Sequence, residues 1–440
     1  MNLPFGLEVT LAIVLTVVVW SVTKSHRQLK ATCVMALMVI WYCWIPVAMH
    51  PDLPSGQEAL SIVRCVAATM CGSILVVVCI RPFPERLRPD RGDPESVRSH
   101  LAFVRAATWV GIAVVVAYFV QMPAIPILAG VEERPWARQA ATTSLPFFGT
   151  ASLFLYDFLP LAWAGWIVVG RLSFGLMLFA FTVLAVTATG QKAPMIYQAC
   201  MLLVLVASGR RRFPYVGFAL LAVVLGVAVL ALVYVHNFGT DALSPDSVDA
   251  SVNGLLRRIT SVPAEVIAGW VDCFPASHPF LGLDAPDMTL DQFVFRQLNP
   301  ASTLEGSANG PFFLSLYARF GGMMPVFWAA TSAVFLGMVC LDVAILSRPR
   351  PTAMVAAYPL ICLGAAQLCI TDLYSAAAPV ALSVLSMFGL IFAIEMLRSA
   401  ERPVMRRTRS SSSPVFVVLC LLVLAYVAQG RIRAMLGAFS

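Results

Sequence analysis

The sequence predicts an all-α polytopic membrane protein of about twelve transmembrane helices, with one large extracytoplasmic loop containing short amphipathic helices. Three observations carry this reading. First, hydrophobic residues make up 59% of the chain and charged residues 12%, with a mean hydropathy of +0.83. A soluble domain holds about 45–50% apolar and about 25% charged residues. Second, apolar runs of about 18 residues recur along the chain, each long enough to cross a hydrocarbon core of roughly 30 Å as a helix. Third, one long segment, 236–311, is polar and holds nine of the 23 acidic residues. Backbone facing lipid must satisfy its own hydrogen bonds, which leaves helices or a closed barrel. A barrel would alternate over segments of about ten residues, and these runs do not.

The elements follow in order. The first apolar run, Leu7 to Val22, is followed but not preceded by basic residues, namely Lys24, Arg27 and Lys30. A cleavable signal peptide carries its charges the other way round. Lys and Arg gather on the cytoplasmic side, so an uncleaved first helix with its N-terminus outside is expected. Further spans are expected at about 31–49, 60–80, 101–121, 148–169, 172–189, 193–208 and 216–235. Beyond the polar segment, spans are expected at about 323–346, 354–370, 379–397 and 415–427. The chain thus divides into helices one to eight (1–235), a catalytic or binding loop (236–311) and helices nine to twelve (312–440). Loops placed inside, together with Arg105 at the inner end of the fourth span, hold 20 Lys and Arg, those placed outside hold nine, and Arg64 lies within a span.

The net charge of +7 therefore follows topology and gives no reason to expect nucleic acid. Most of the eleven cysteines lie in or beside apolar spans and form no CxxC motif, so small packing residues are expected rather than a disulfide framework. Charges inside spans are costly, roughly 2.5–3.5 kcal/mol at the bilayer centre. Arg64 and Asp157 are expected to pair with each other or to line a groove. Asp342 and Glu395, near inner ends, are expected to reach water, and Asp372 lies at an outer end.

Within the polar segment, Val252, Leu255, Leu256, Ile259 and Val262 recur at helical spacing, and Val266, Ile267 and Trp270 continue the pattern past Pro263. A pair of short amphipathic helices lying on the outer membrane surface would fit, with Pro263 in the first turn of the second. Arg257 and Arg258 would then stand at headgroup depth, as a phosphate clamp or as side chains snorkelling to native lipid. Lys192, in the tight turn TATGQKAPM, Arg296 and Arg319 also fall at the outer boundary. Several cations on one face suit a pyrophosphate, which needs multiple charge-assisted hydrogen bonds.

Three strings then bear on identity: ATGQKAPMI; R-R-I-x-x-V-P with W-x-x-x-F-P-x-x-x-P-F-L-G; and S-A-N-G-P-F-F-x-x-L-Y-x-R-F-G-G. In order and spacing they resemble the bacterial oligosaccharide repeat-unit polymerases of O-antigen and exopolysaccharide synthesis (Wzy-like). The resemblance covers about residues 185–340. It implies an enzyme of the bacterial cytoplasmic (inner) membrane, its large loop periplasmic, working without a required metal or cofactor. The implied substrates are undecaprenyl-pyrophosphate-linked oligosaccharides, one as donor and one as acceptor, with membrane lipids and a chain-length regulator as further partners. Carried over by position, Lys192, Arg257 or Arg258, and Arg319 would hold the pyrophosphate.

Glycosyl transfer from a pyrophosphate needs preorganised cations at the leaving oxygen and a base for the attacking hydroxyl. Asp272, His278 and Glu305 are the base candidates, and Trp270, Phe274 and Tyr317 the candidate sugar-stacking platforms. Packing is the competing role for the aromatics, and solvated turns for Asp272 and His278. No HExxH, Walker loop, nucleotide fingerprint or serine-hydrolase elbow occurs, which argues against cytoplasmic nucleotide chemistry. A glycan ligase of the O-antigen-ligase type is the nearest enzyme alternative. A lipid-linked oligosaccharide flippase or transporter is the alternative from another class, and would carry its functional charges inside the bundle.

Overall fold

The computed structural model describes residues 4–23, 31–80, 94–122, 124–130, 133–143, 148–190, 193–208, 245–282, 290–301, 308–346, 352–371 and four positions between 384 and 391. Every regular element among the described residues is helical. Helix α1 is Phe5–Thr23. The second membrane segment is α2 (Ala31–Met38), a π-turn (Val39–Trp44) and α3 (Ile45–Met49). Helices α4 (Gly56–Ile80), α5 (Pro94–Gln121) and α6 (Arg134–Thr143) follow. The next segment is α7 (Phe148–Leu153), a π-turn (Phe154–Phe158) and α8 (Leu159–Val168). Then come α9 (Leu172–Ala188), α10 (Ala193–Ser208), α11 (Pro245–Asp272) and α12 (Leu290–Leu298). Helices α13 (Phe312–Phe320), α14 (Met324–Leu346) and α15 (Thr352–Gln367) complete the set.

Five stretches are long and apolar enough to cross a membrane: Ala31–Met49, Gly56–Val76, Val97–Gln121, Ala151–Val168 and Phe312–Val343. Shorter apolar helices lie at Phe5–Val19, Leu172–Ala188, Ile196–Val206 and Ala353–Gln367. The spans expected at 216–235 and 415–427 fall outside the described residues, as do most positions of 379–397. Large apolar side chains stand exposed on α5 (Trp109, Val116, Val120), α9 (Met177, Leu184) and α1 (Val14, Val17). So many exposed large apolar side chains on helices of this hydropathy suit faces that lie against lipid.

The two π-turns have a local cause. Pro46 and Pro160 lie four residues after Tyr42 and Tyr156, so each leaves the carbonyl there without its helical donor and crowds it. A widened turn at Val39–Trp44 and at Phe154–Phe158 takes up the crowding.

Two apolar cores result. One joins α1–α4 to α11–α14 through residues such as Val39, Val63, Trp270, Phe312 and Phe335. The other joins α5, the segment from Leu153 to Val168, α9, α10 and α15 around Trp163, Leu159 and Leu360. Charges in the bundle are paired differently from expectation. Arg64 bonds Glu8 rather than Asp157, and the Trp44 indole donates to the same carboxylate at 2.9 Å. Asp342 does not reach water: it is fully buried and accepts from Thr32 N (2.7 Å), Thr32 Oγ1 (2.6 Å) and the Tyr358 hydroxyl (2.9 Å). Its carboxylate thus caps the N-terminus of α2, where backbone donors and the helix dipole favour negative charge. Asp157, in the second π-turn, is buried with no hydrogen bond or ion pair to a described residue.

The expected pair of short surface helices is a single helix. α11 runs through Pro263 and packs against α3, α4 and α13. The proline costs one hydrogen bond and some crowding. Ala264, Ile267, Ala268 and Val271 continue the buried face beyond it, and their packing outweighs that cost.

Candidate active site

The site is built where α11 ends. Trp270 sits in the last turn and is fully buried (0% exposed); its indole N–H donates to the Ala308 carbonyl at 2.9 Å. Gly310 lies against that ring: a side chain there would meet Trp270 Nε1 at 2.7 Å. The chain then leaves α11 by a widened turn, Cys273–Ser277, in which the Phe274–Pro275 peptide is cis. Phe274 is buried against Trp270 and the His278 ring, with centroids 6.4 and 5.7 Å away.

The segment Pro279–Gly282 then runs onto α13. Leu281 N donates to Ala318 O at 3.0 Å and Gly282 N to Arg319 O at 2.9 Å. Phe280 covers Gly321 and Gly322, so that neither position has room for a side chain without moving the ring. Phe280 also meets the Tyr317 ring edge-on at 5.5 Å. Phe312 N, at the start of α13, donates to Leu368 O at 2.8 Å and ties the unit to the end of α15. The W-x-x-x-F-P-x-x-x-P-F-L-G string and the N-G-P-F-F-x-x-L-Y-x-R-F-G-G string are therefore one interlocked body.

Several site residues expected from the sequence meet here. Asp272, exposed at the end of α11, accepts a hydrogen bond from Ser55 Oγ at 2.9 Å. His278 has Nδ1 2.7 Å from the Pro279 carbonyl. A carbonyl can only accept, so Nδ1 carries a proton, and in its neutral form the ring presents Nε2 as its basic atom. Arg319 is half-buried at the last turn of α13, joined to this segment by the backbone bonds above. Burial, with Asp272 as a lesser cause, pushes the neighbouring Cys273 thiol up to about 11.

The aromatic expectations change. Trp270, Phe274 and Tyr317 are 0%, 0% and 1% exposed. They are the mortar of the unit, and no ring face is left open for a sugar. The Tyr317 hydroxyl instead donates to Glu58 Oε1 at 3.0 Å. Sequence reading gave Glu58, Ser55 and His50 no role at this site. Their only signal was position: they flank a short acidic hairpin between two spans.

The basic residues are dispersed. Arg257 is exposed and pairs with Glu265 at 3.3 Å. It precedes Asp272 by fifteen residues on one helix, roughly 22 Å of rise, so the two do not face one reacting bond. Arg258 lies on the same helix, but its side chain is not among those described. Arg296 is exposed in the last turn of α12. Lys192 and Glu305 lie outside the described residues, as does Asp372. Compared with protein-family models, with curated proteins and with solved structures, the chain matches none.

Proposed function

We propose that this protein is a membrane-embedded glycosyltransferase that polymerises undecaprenyl-pyrophosphate-linked oligosaccharide repeat units at the outer face of the bacterial cytoplasmic membrane. The observation that supports it is the interlocking of the two motif strings, Trp270–Gly282 and Asn309–Gly322, into one body with Asp272 and His278 on its rim. In this reading the acceptor hydroxyl attacks the anomeric carbon of the donor sugar. Its proton passes to Asp272 or to His278 Nε2. The bond from the anomeric carbon to the pyrophosphate breaks, and the electron pair leaves on the phosphate oxygen, where Arg319, with Lys192, offsets the charge. Arg257, far along α11 and exposed, binds the same lipid outside the reacting centre.

The test is complementation. The gene is deleted in the cells that make the protein, replaced by variants, and surface glycan length is read on gels. Asp272→Asn and His278→Gln identify the base: the one that serves loses roughly 10²–10⁴-fold in extension. Arg319→Gln is expected to shorten chains as well. Full-length polymer from all three variants, at normal membrane expression, would remove the reading.

A transporter or flippase is the second reading, and Asp157 favours it. A buried carboxylate inside a span, with no partner among the described residues, is a functional position by default. Asp157→Asn would then abolish export of the lipid-linked repeat while Asp272→Asn left it intact.

A further inference from the structure

The hairpin between α3 and α4 is a part of the site that the functional reading does not use. It turns sharply: Leu53 N donates to His50 O at 3.3 Å and Gly56 N to Leu53 O at 2.8 Å. At its end Ser55 holds φ at 54°, in the left-handed region that non-glycine residues seldom occupy. Such conformations persist where surrounding contacts over-determine them. Those contacts are on view. His50 Nε2 shares a hydrogen bond with Ser261 Oγ at 3.2 Å, Ser55 Oγ donates to Asp272 Oδ1, and Glu58 receives the Tyr317 hydroxyl. One stretch of nine residues thus grips α11 at two points and α13 at a third.

We infer that Ser55 is a positioning residue for Asp272, holding the carboxylate through Oδ1 so that Oδ2 faces the acceptor hydroxyl. The inference rests on the glycan-transfer reading above, with Asp272 as the base. The left-handed backbone is what aims the short serine side chain back at α11. A carboxylate at a helix end otherwise samples several rotamers, and each misplaced one lowers the fraction of encounters in which proton transfer is possible.

The left-handed backbone also supplies the test. Ser55→Gly removes the hydroxyl while easing the backbone. Ser55→Asn tolerates the same φ and returns an N–H donor. Each is reconstituted in vesicles of bacterial lipid with lipid-linked repeat units extracted from the cells that make them, and extension is followed with saturating and limiting acceptor. Ser55→Gly is expected to lower kcat about tenfold, the worth of a hydrogen bond to a charged group, with KM for the acceptor little changed. Ser55→Asn is expected to recover most of it. In an Asp272→Asn background, Ser55→Gly should cost nothing further. Full kcat in Ser55→Gly, with wild type active and Asp272→Asn slowed roughly 10²–10⁴-fold, overturns the role of Ser55 alone. No extension by wild type, or normal extension by Asp272→Asn, overturns the reading beneath it and this assignment together.

Discussion

Before Pro263, α11 exposes Asn253, Gly254, Leu256 and Arg257; after it, the same helix buries Ala264, Ile267, Ala268, Trp270 and Val271. Among the described side chains, the first half is held by the exposed Arg257–Glu265 pair, with side chains 67% and 44% exposed, and by the Ser261–His50 hydrogen bond near its end. The second half buries those five side chains in a core shared with α3, α4 and α13. The contrast teaches where precision resides. On the glycan-transfer reading Asp272 is a base that must be placed to within a fraction of an ångström, and it stands on the packed half. On the same reading Arg257 meets only a mobile lipid headgroup, which needs no such placement, and it stands on the exposed half.

Substitutions that remove packing should separate the halves most widely. Trp270→Ala is expected to cost about 3–5 kcal/mol, because it empties a fully buried ring site and leaves the Ala308 carbonyl without its donor. Leu256→Ala, on the exposed half, should stay within about 0.5 kcal/mol. Thermal denaturation of the two variants in the same detergent decides it. Similar losses would mean that the halves are equally embedded.

How much of this was legible beforehand depends on the range of the force that writes it. Hydropathy is local, and so the helices fall close to where it puts them: Ala31–Met49 and Ala193–Ser208 are as expected. Pairing inside the bundle is not local. Glu8 and Arg64 are 56 residues apart, and nothing in the composition around either names the other. The buried state of Asp342 depends on Thr32 and Tyr358, which hydropathy treats as ordinary span residues. Helical spacing across Pro263 showed an apolar face, but not that bundle helices rather than lipid would cover it. The aromatic residues were found by their motif, yet a motif cannot distinguish a ring that stacks on a sugar from one that packs on Gly310 or Phe280. The hairpin residues Ser55 and Glu58 were missed because their partners, Asp272 and Tyr317, lie more than two hundred residues away.

Thiol chemistry sharpens the comparison next. Asn253→Cys, on the exposed half, and native Cys273, at the packed end, are each kept as the single thiol, and both are treated with an impermeant maleimide. Cys273 is buried and its thiol is pushed up to about 11. The thiolate is the reacting form, so at pH 8 about a thousandth of Cys273 is reactive, against about a quarter of an ordinary thiol. Labelling of Cys273 should be about two orders of magnitude slower, and should rise about tenfold per pH unit as pH approaches 11. Asn253→Cys that labels in intact cells places the helix outside; labelling confined to inverted vesicles would overturn that topology.

The smallest expected effect lies in the Arg257–Glu265 pair itself. An ion pair this exposed is worth about 0–1 kcal/mol, so Arg257→Gln and Glu265→Gln should each leave stability within that range. Function separates them better. If Arg257 meets the lipid pyrophosphate only outside the reacting centre, Arg257→Gln raises KM for the lipid-linked donor and leaves kcat near wild type. The rise should fade at high salt, where screening has already weakened the same attraction. Arg319→Gln should do the reverse, lowering kcat with less effect on KM, because on the glycan-transfer reading its charge counts most when the leaving oxygen becomes negative. Glu265→Gln should lower KM slightly, since a carboxylate that competes for Arg257 is gone. A loss of kcat in Arg257→Gln as large as in Arg319→Gln would contradict this division. It would require α11 to bend at Pro263 in the working protein, bringing its exposed half over Asp272.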